Sequence, residues 1–177
     1  MSTLRVPVTS LDHVQGPEDA PVTLVEYGDY QCPYCGLAYP VVKAILAQLQ
    51  GRIRFAFRHF PLTEAHPLAE TAAEVAEFAG EHGKFWPMHD LIYENQHRLS
   101  LPGLFALAGA LGLPQVEMRD ALGAHRYAGK VQADFMSGVR SGVNGTPSFF
   151  INGVRHDGGY GYPELMAGIE QAMMAEA

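Results

Sequence analysis

At 177 residues the chain has room for one domain, or one domain with a large insertion, and for a core that needs neither disulfide nor metal. Apolar residues make up 47% and charged residues 18%, ordinary for a soluble globular protein. A formal charge of −7 argues against nucleic acid as a partner, and no apolar run approaches the roughly 18 residues of a membrane span.

The opening stretch, MSTLRVPVTSLDHVQGPEDAP, lacks a basic segment followed by an apolar run, so no secretory signal is visible. With the initiating Met1 this gives an expected cytoplasmic location, or a periplasmic or extracellular one if a signal has been removed. These first residues are polar, carry Gly16, Pro17 and Pro21, and read as a loosely ordered approach. VTLVEYG, Val22 to Gly28, is apolar except at Glu26 and predicts a strand covered on both faces. Pro33 then suits the first turn of a helix carrying Leu37, Val41, Val42, Ile45, Leu46 and Leu49, with Pro40 inside it and Gly51 as its stop. Ile53 to Phe60 alternates Ile53, Phe55 and Phe57 with Arg54 and Arg58, which is strand patterning. Strand, helix and strand make a βαβ unit.

Helices follow. Leu68, Ala72, Val75, Ala76 and Ala79 share one face, ended by Gly83. Phe85–Asn95, Pro102–Leu111 and Pro114–Leu122 are three more, with Phe85, Trp86 and Met88 expected in their core. Tyr127, Val131, Phe135 and Val139 step by four along another, which stops near Gly142. PSFFING reads as a buried strand with an Asn-Gly hairpin turn, VRHDGG as its partner, and Pro163 opens a last helix. The expected layout is βαβ, a helical block, then ββα.

The chain has only two cysteines, Cys32 and Cys35, in GDYQCPYCG. Such a pair can be a disulfide staple, half of a metal site or a redox centre. The length makes a staple unnecessary. A structural zinc site needs two further ligands, and neither a second CxxC nor a suitably spaced histidine pair is present; His59 and His66 are expected as turn or surface residues at the strand exit. The redox reading has a physical basis. At the strand-to-helix turn, Cys32 meets unpaired backbone N–H groups and the positive end of the helix dipole, which favour a thiolate. Cys35 lies one turn on, within reach as the resolving thiol. Glu26 raises a second question, because a carboxylate inside an apolar strand is costly unless paired or functional. The alternative for it is a charge at an exposed strand end.

GPEDAPVTLVEYGDYQCPYC, FRHFPL, HPLAETAAEVAEFAGEHGKFWPMHD and GVNGTPSFFING together resemble the DsbA-like thioredoxin-fold thiol–disulfide oxidoreductases of bacterial type, from Asp12 onward. The resemblance implies an α/β thioredoxin fold in a single domain, residues 1–177, with a helical insertion over about 61–142. It implies catalysis by Cys32 and Cys35, with Glu26 beneath them relaying a proton to or from Cys35. Pro33 and Tyr34 tune the potential. Pro147 is implied to be a cis-proline opposite the pair, turning the Thr146 backbone toward an extended substrate segment. DsbA itself has histidine where this chain has Tyr34, and a tyrosine adds no positive charge, so a weaker oxidant is expected. The implied partners are polypeptide thiols or disulfides and a recycling partner of thioredoxin, glutathione or membrane-oxidase type, with no cofactor and no metal. A glutathione-coupled reductase of small or mixed disulfides is the alternative enzyme, and a non-catalytic zinc- or peptide-binding module the alternative of another class. Tyr30 and Tyr34 could line a peptide groove or the core.

Overall fold

The computed structural model describes residues 1–177. In chain order the elements are β1 (His13–Gln15), β2 (Val22–Gly28), α1 (Pro33–Gln48), β3 (Ile53–His59), α2 (Ala69–Glu81), α3 (Phe85–Glu94), a 3-10 turn (Gln96–Arg98), α4 (Leu101–Ala110), α5 (Gln115–Gly123), α6 (Ala128–Arg140), β4 (Ser148–Ile151), β5 (Val154–His156) and α7 (Tyr162–Ala175). The expected βαβ, helical block and ββα are all present.

The sheet order is β1-β3-β2-β4-β5. β2 runs parallel to β3 and antiparallel to β4, so Glu26 stands between Phe57 and Phe149. Both faces of the sheet are covered, as the apolar run of β2 requires. One face, with Leu24, Phe55, Phe57 and Phe149, shares a continuous core with α1, α7 and the helical block. The other, with Val25, Tyr27, Ala56 and Phe150, packs against Phe60, Val143 and Phe135 of α6. Between β4 and β5, Asn152 and Gly153 have φ of 46° and 79°, the left-handed pair that a two-residue hairpin turn demands.

Four expectations need correction. The N-terminal residues are not loose. β1 pairs antiparallel with β3, and Thr3 bridges to Val154 at the other edge of the sheet. Arg58, expected to alternate outward, is 2% exposed. Its guanidinium donates to Asp12 at 2.8 and 3.0 Å, to the carbonyls of Val6 and Pro7, and to the Tyr27 hydroxyl. One buried cation thus gathers the N-terminal segment onto the sheet, a tertiary pairing that strand periodicity does not register. His59 is buried, not a surface residue: Glu77 binds its Nε2 at 2.9 Å and that of His13 at 2.6 Å. Along α6 and its N-cap, Tyr127 and Val131 are buried as their spacing suggests, but Val139 is exposed, and Asp134, Ser137 and Gly138 continue the buried face instead.

Burial pushes the Asp12 carboxyl up, but the hydrogen bonds from Arg58 and from the Thr9 N–H outweigh it and hold it below its usual value. Removing one member of a buried pair leaves the other uncompensated. Asp12→Ala is therefore expected to cost about 3 kcal/mol, read as a lower urea midpoint. The wild-type advantage should fade as acid protonates Asp12, since a depressed carboxylate contributes stability only above its folded pKa.

Candidate active site

Three segments meet at the C-terminal end of β2, the third of them far away in sequence. The chain leaves β2 at Gly28, turns through Asp29–Gln31 and enters α1 at Pro33. Cys32 is the N-cap residue, with φ −69° and ψ 122°, and no side chain caps this end. Pro33 follows at the helix start, where its missing N–H costs nothing. Both cysteines are free thiols; Cys32 is 3% exposed and Cys35 fully buried. Tyr34, between them, points outward and is 60% exposed, whereas Tyr30 lies in the core with its hydroxyl 2.9 Å from His89 Nδ1.

The loop before β4 supplies the third segment. The Thr146–Pro147 peptide is cis. Pairing of Tyr27 with Ser148 brings Thr146 over the helix start, and Cys32 Sγ lies 3.6 Å from its carbonyl oxygen. The buried Thr146 hydroxyl has no hydrogen-bond partner in the protein.

This setting lowers the Cys32 thiol from an ordinary 9 to about 5. The hydrogen bond from the Cys35 thiol is the largest cause; Thr146 and the Cys35 and Tyr34 backbone N–H groups add to it, against burial that opposes ionisation. Cys35 is pushed well above 9, first by burial and then by donating to Cys32. One sulfur is set up as a nucleophile and leaving group, the other as a protonated thiol. Titration of the reduced protein by thiolate absorbance should show a single step near pH 5, absent after Cys32→Ser. The folded pKa is depressed, so the reduced state gains stability as pH rises through about 5 toward 9, and over that window the disulfide becomes a stronger oxidant relative to a couple of ordinary thiols.

Glu26 is 2% exposed, which removes the exposed-end alternative. It shares a small cavity, with room for about one water, with Tyr39 and Val42 of α1 and with Asp90 and Tyr93 of α3. Glu26 Oε1, Asp90 Oδ1 and the Tyr93 hydroxyl, all buried, have no protein partner. Burial, and next the charge of Cys32, raise Glu26 from 4.5 to about 8. A carboxyl with that pKa exchanges protons near neutrality.

The sequence reading missed the residues that hold the turn. Asp29 is fully buried. Its Oδ1 accepts the N–H groups of Gln31 (2.8 Å) and Cys32 (3.2 Å), and its Oδ2 accepts the Leu62 N–H at 2.9 Å and meets His66 Nδ1 at 2.8 Å. His66, expected at the surface, is thus tied to the active-site turn. An aspartate three residues ahead of a helix N-cap is a turn signal that could have found Asp29; nothing local marks His66. No three His, Cys, Asp or Glu side chains are placed to hold a metal ion together.

A profile of the family described as Thioredoxin matches residues 9–171, nearly the whole chain. The chain belongs to the thioredoxin family. Among solved thioredoxin-fold structures, it superposes on oxidised BdbD from Bacillus subtilis with a TM-score of 0.86 at 23% identity, covering 98% of both chains. Alpha-DsbA1 of Wolbachia pipientis gives 0.83 at 20% identity, over 98% of this chain and 96% of that one. The fold is therefore that of DsbA-type structures. A curated relative, the Na(+)/H(+) antiporter NhaA 1 of Salinispora arenicola, is 46% identical over 170 residues, which is 96% of this chain and 26% of the antiporter. The chain spans about a quarter of the length of the curated relatives it matches. No helix of this thioredoxin-family chain is long and apolar enough to cross a membrane.

Proposed function

We propose that the chain is a thiol–disulfide oxidoreductase that exchanges disulfides with polypeptide substrates through Cys32 and Cys35. The observation that carries this reading is the unequal setting of two neighbouring thiols: Cys32 caps a helix 3.6 Å from the Thr146 carbonyl and is lowered to about 5, whereas Cys35 is fully buried one turn on and is raised. A metal site or a staple has no use for that asymmetry. As an oxidant, a substrate thiolate attacks Cys32 Sγ of the Cys32–Cys35 disulfide, and Cys35 leaves and takes up a proton. A second substrate thiolate then attacks the substrate sulfur of the mixed disulfide, releasing an oxidised substrate and the Cys32 thiolate. Two electrons pass to the protein. As a reductant the same steps run backwards, with Glu26 accepting the Cys35 proton.

A polypeptide is favoured over glutathione because α1 carries exposed apolar side chains soon after Cys32, Tyr34 and Leu37, 60% and 65% exposed. The Thr146 backbone, across from Cys32, offers a strand-like edge. The Cys32 value of about 5 falls between those of thioredoxin, about 7, and DsbA, about 3.5. A potential between about −270 and −120 mV is expected. Equilibration with glutathione buffers measures it, and a value at or above the DsbA end would remove the weaker-oxidant assignment.

The antiporter relatives favour one particular setting. In them the matching segment is about a quarter of the chain. We propose that this domain acts beside a membrane transporter of that kind, and that the transporter or a protein at the same membrane surface is a thiol partner. Mixed disulfides trapped by the Cys35→Ser variant in the membrane fraction would support this, and their confinement to soluble proteins would refute it.

A further inference from the structure

The active-site turn is held from outside the βαβ unit. The Gln96 side chain, from the 3-10 turn that follows α3, donates through Nε2 to the carbonyl oxygens of Tyr30 at 2.9 Å and Cys32 at 2.8 Å. Gln96 is itself aimed by its neighbours. Asn95 Oδ1 accepts both Nε and Nη2 of Arg98, at 3.0 and 2.6 Å, closing the 3-10 turn, and Asn95 Nδ2 ties back to the Leu91 carbonyl. Directly beneath the amide lies Gly36, in the first turn of α1. A Cβ on Gly36 would fall inside the van der Waals envelope of Gln96 Oε1 and crowd its Cδ. Glycine at 36 is therefore what lets the amide reach both carbonyls.

We infer that Gln96 is a positioning residue for the Cys32 thiolate, and that Gly36 is the space it requires. This rests on the oxidoreductase reading and deepens it. The thiolate depends on the Tyr34 and Cys35 N–H groups at the helix start, and so on the N-cap geometry of Cys32. The Cys32 carbonyl must then point down the helix, where it also receives the Gly36 N–H at 3.1 Å. Gln96 fixes that carbonyl and the Tyr30 carbonyl together. It also sets a donor dipole against two oxygens whose negative ends would otherwise oppose charge on the sulfur. Loss of the amide frees the turn and uncovers the carbonyls, and both effects disfavour the thiolate.

The test is the Cys32 pKa of the reduced full chain, read by thiolate absorbance and by the pH profile of iodoacetamide alkylation; neither readout requires turnover. Gln96→Met keeps the volume and removes the donor, and Gln96→Ala removes both. Each is expected to raise the Cys32 pKa by about 0.5–1 unit and slow alkylation at pH 5–6 severalfold. Gly36→Ala should produce the same shift by expelling the amide. The double variant Gly36→Ala/Gln96→Ala should shift no further than either single one, because the two substitutions break the same contacts. An unchanged pKa in folded Gln96→Met overturns the inference, as does an additive shift in the double variant. If the wild type oxidises and reduces no protein substrate while these shifts appear, the oxidoreductase reading fails and the positioning role stands.

Discussion

In the Cys35→Ser variant, substrate is expected to remain bonded to Cys32. Reduced Cys32 attacks a substrate disulfide, and the mixed disulfide that forms has lost its intramolecular resolving thiol. The wild type resolves quickly because Cys35 is one helical turn away, an effective molarity that solution thiols do not match. A loss of resolution rate of about 10³-fold or more is expected. Non-reducing electrophoresis with mass spectrometry should find adducts on Cys32 alone, and Cys32→Ser should abolish them. Serine leaves the fold intact, since it replaces a buried thiol with a group of similar size. If Cys35→Ser forms no adducts while its Cys32 is still alkylated by iodoacetamide, the pair does not exchange with protein disulfides, and the glutathione-coupled alternative gains ground.

Glu26→Gln is expected to slow the resolving step by about 100-fold and, at the same time, to stabilise the protein at alkaline pH. The two effects have one cause. Cys35 is buried and held protonated, so its proton needs a buried acceptor. Glu26, raised to about 8, is the carboxyl near enough for its charge and that of Cys35 to oppose each other. The wild-type resolution rate should rise with pH through about 8 as Glu26 ionises, and the glutamine variant should lose that limb. For stability the sign is the reverse of the usual carboxylate case. Between 4.5 and about 8 the folded state keeps a proton that the unfolded state has released. Stability therefore falls across that window, by at most about 1.4 kcal/mol per pH unit. Glu26→Gln removes this slope, so its gain over wild type should be nil below about pH 4.5 and largest above about pH 8. Thermal melts at pH 4, 7 and 9 read the stability effect; quenched decay of a preformed mixed disulfide reads the rate. A variant that melts and resolves like wild type at pH 9 would make Glu26 a bystander.

Both results turn on residues legible in the sequence. Cys32 and Cys35 stand out as the only cysteines, Glu26 as the charge in an apolar strand, and Asn152-Gly153 as a hairpin turn, each within a window of a few residues. Helix and strand order were equally readable, because the periodicities of α2, β2 and β4 are local properties of the chain. The N-terminal segment was misjudged for the opposite reason. Its order comes from Arg58, 46 positions beyond Asp12, and no pattern within the segment contains that partner. His59 and His66 were placed at the surface because a lone histidine has no period; Glu77 and Asp29 bury or anchor them only once the helical block has folded over the sheet.

The active site divides in the same way. By itself the sequence pointed to the type of chemistry proposed, through two thiols at a helix start and one acid in an apolar strand, all contained in Glu26 to Cys35. Only the tertiary structure decided how that chemistry is held and tuned. Thr146 reaches Cys32 from 114 residues away, Leu62 and His66 brace Asp29, and Gln96 spans 64 residues to the Cys32 carbonyl. Those contacts are single hydrogen bonds between elements that neither propensity nor hydrophobic periodicity couples. They exist because packing of the insertion on β3 and α1 leaves those polar groups facing one another, where burial makes pairing obligatory.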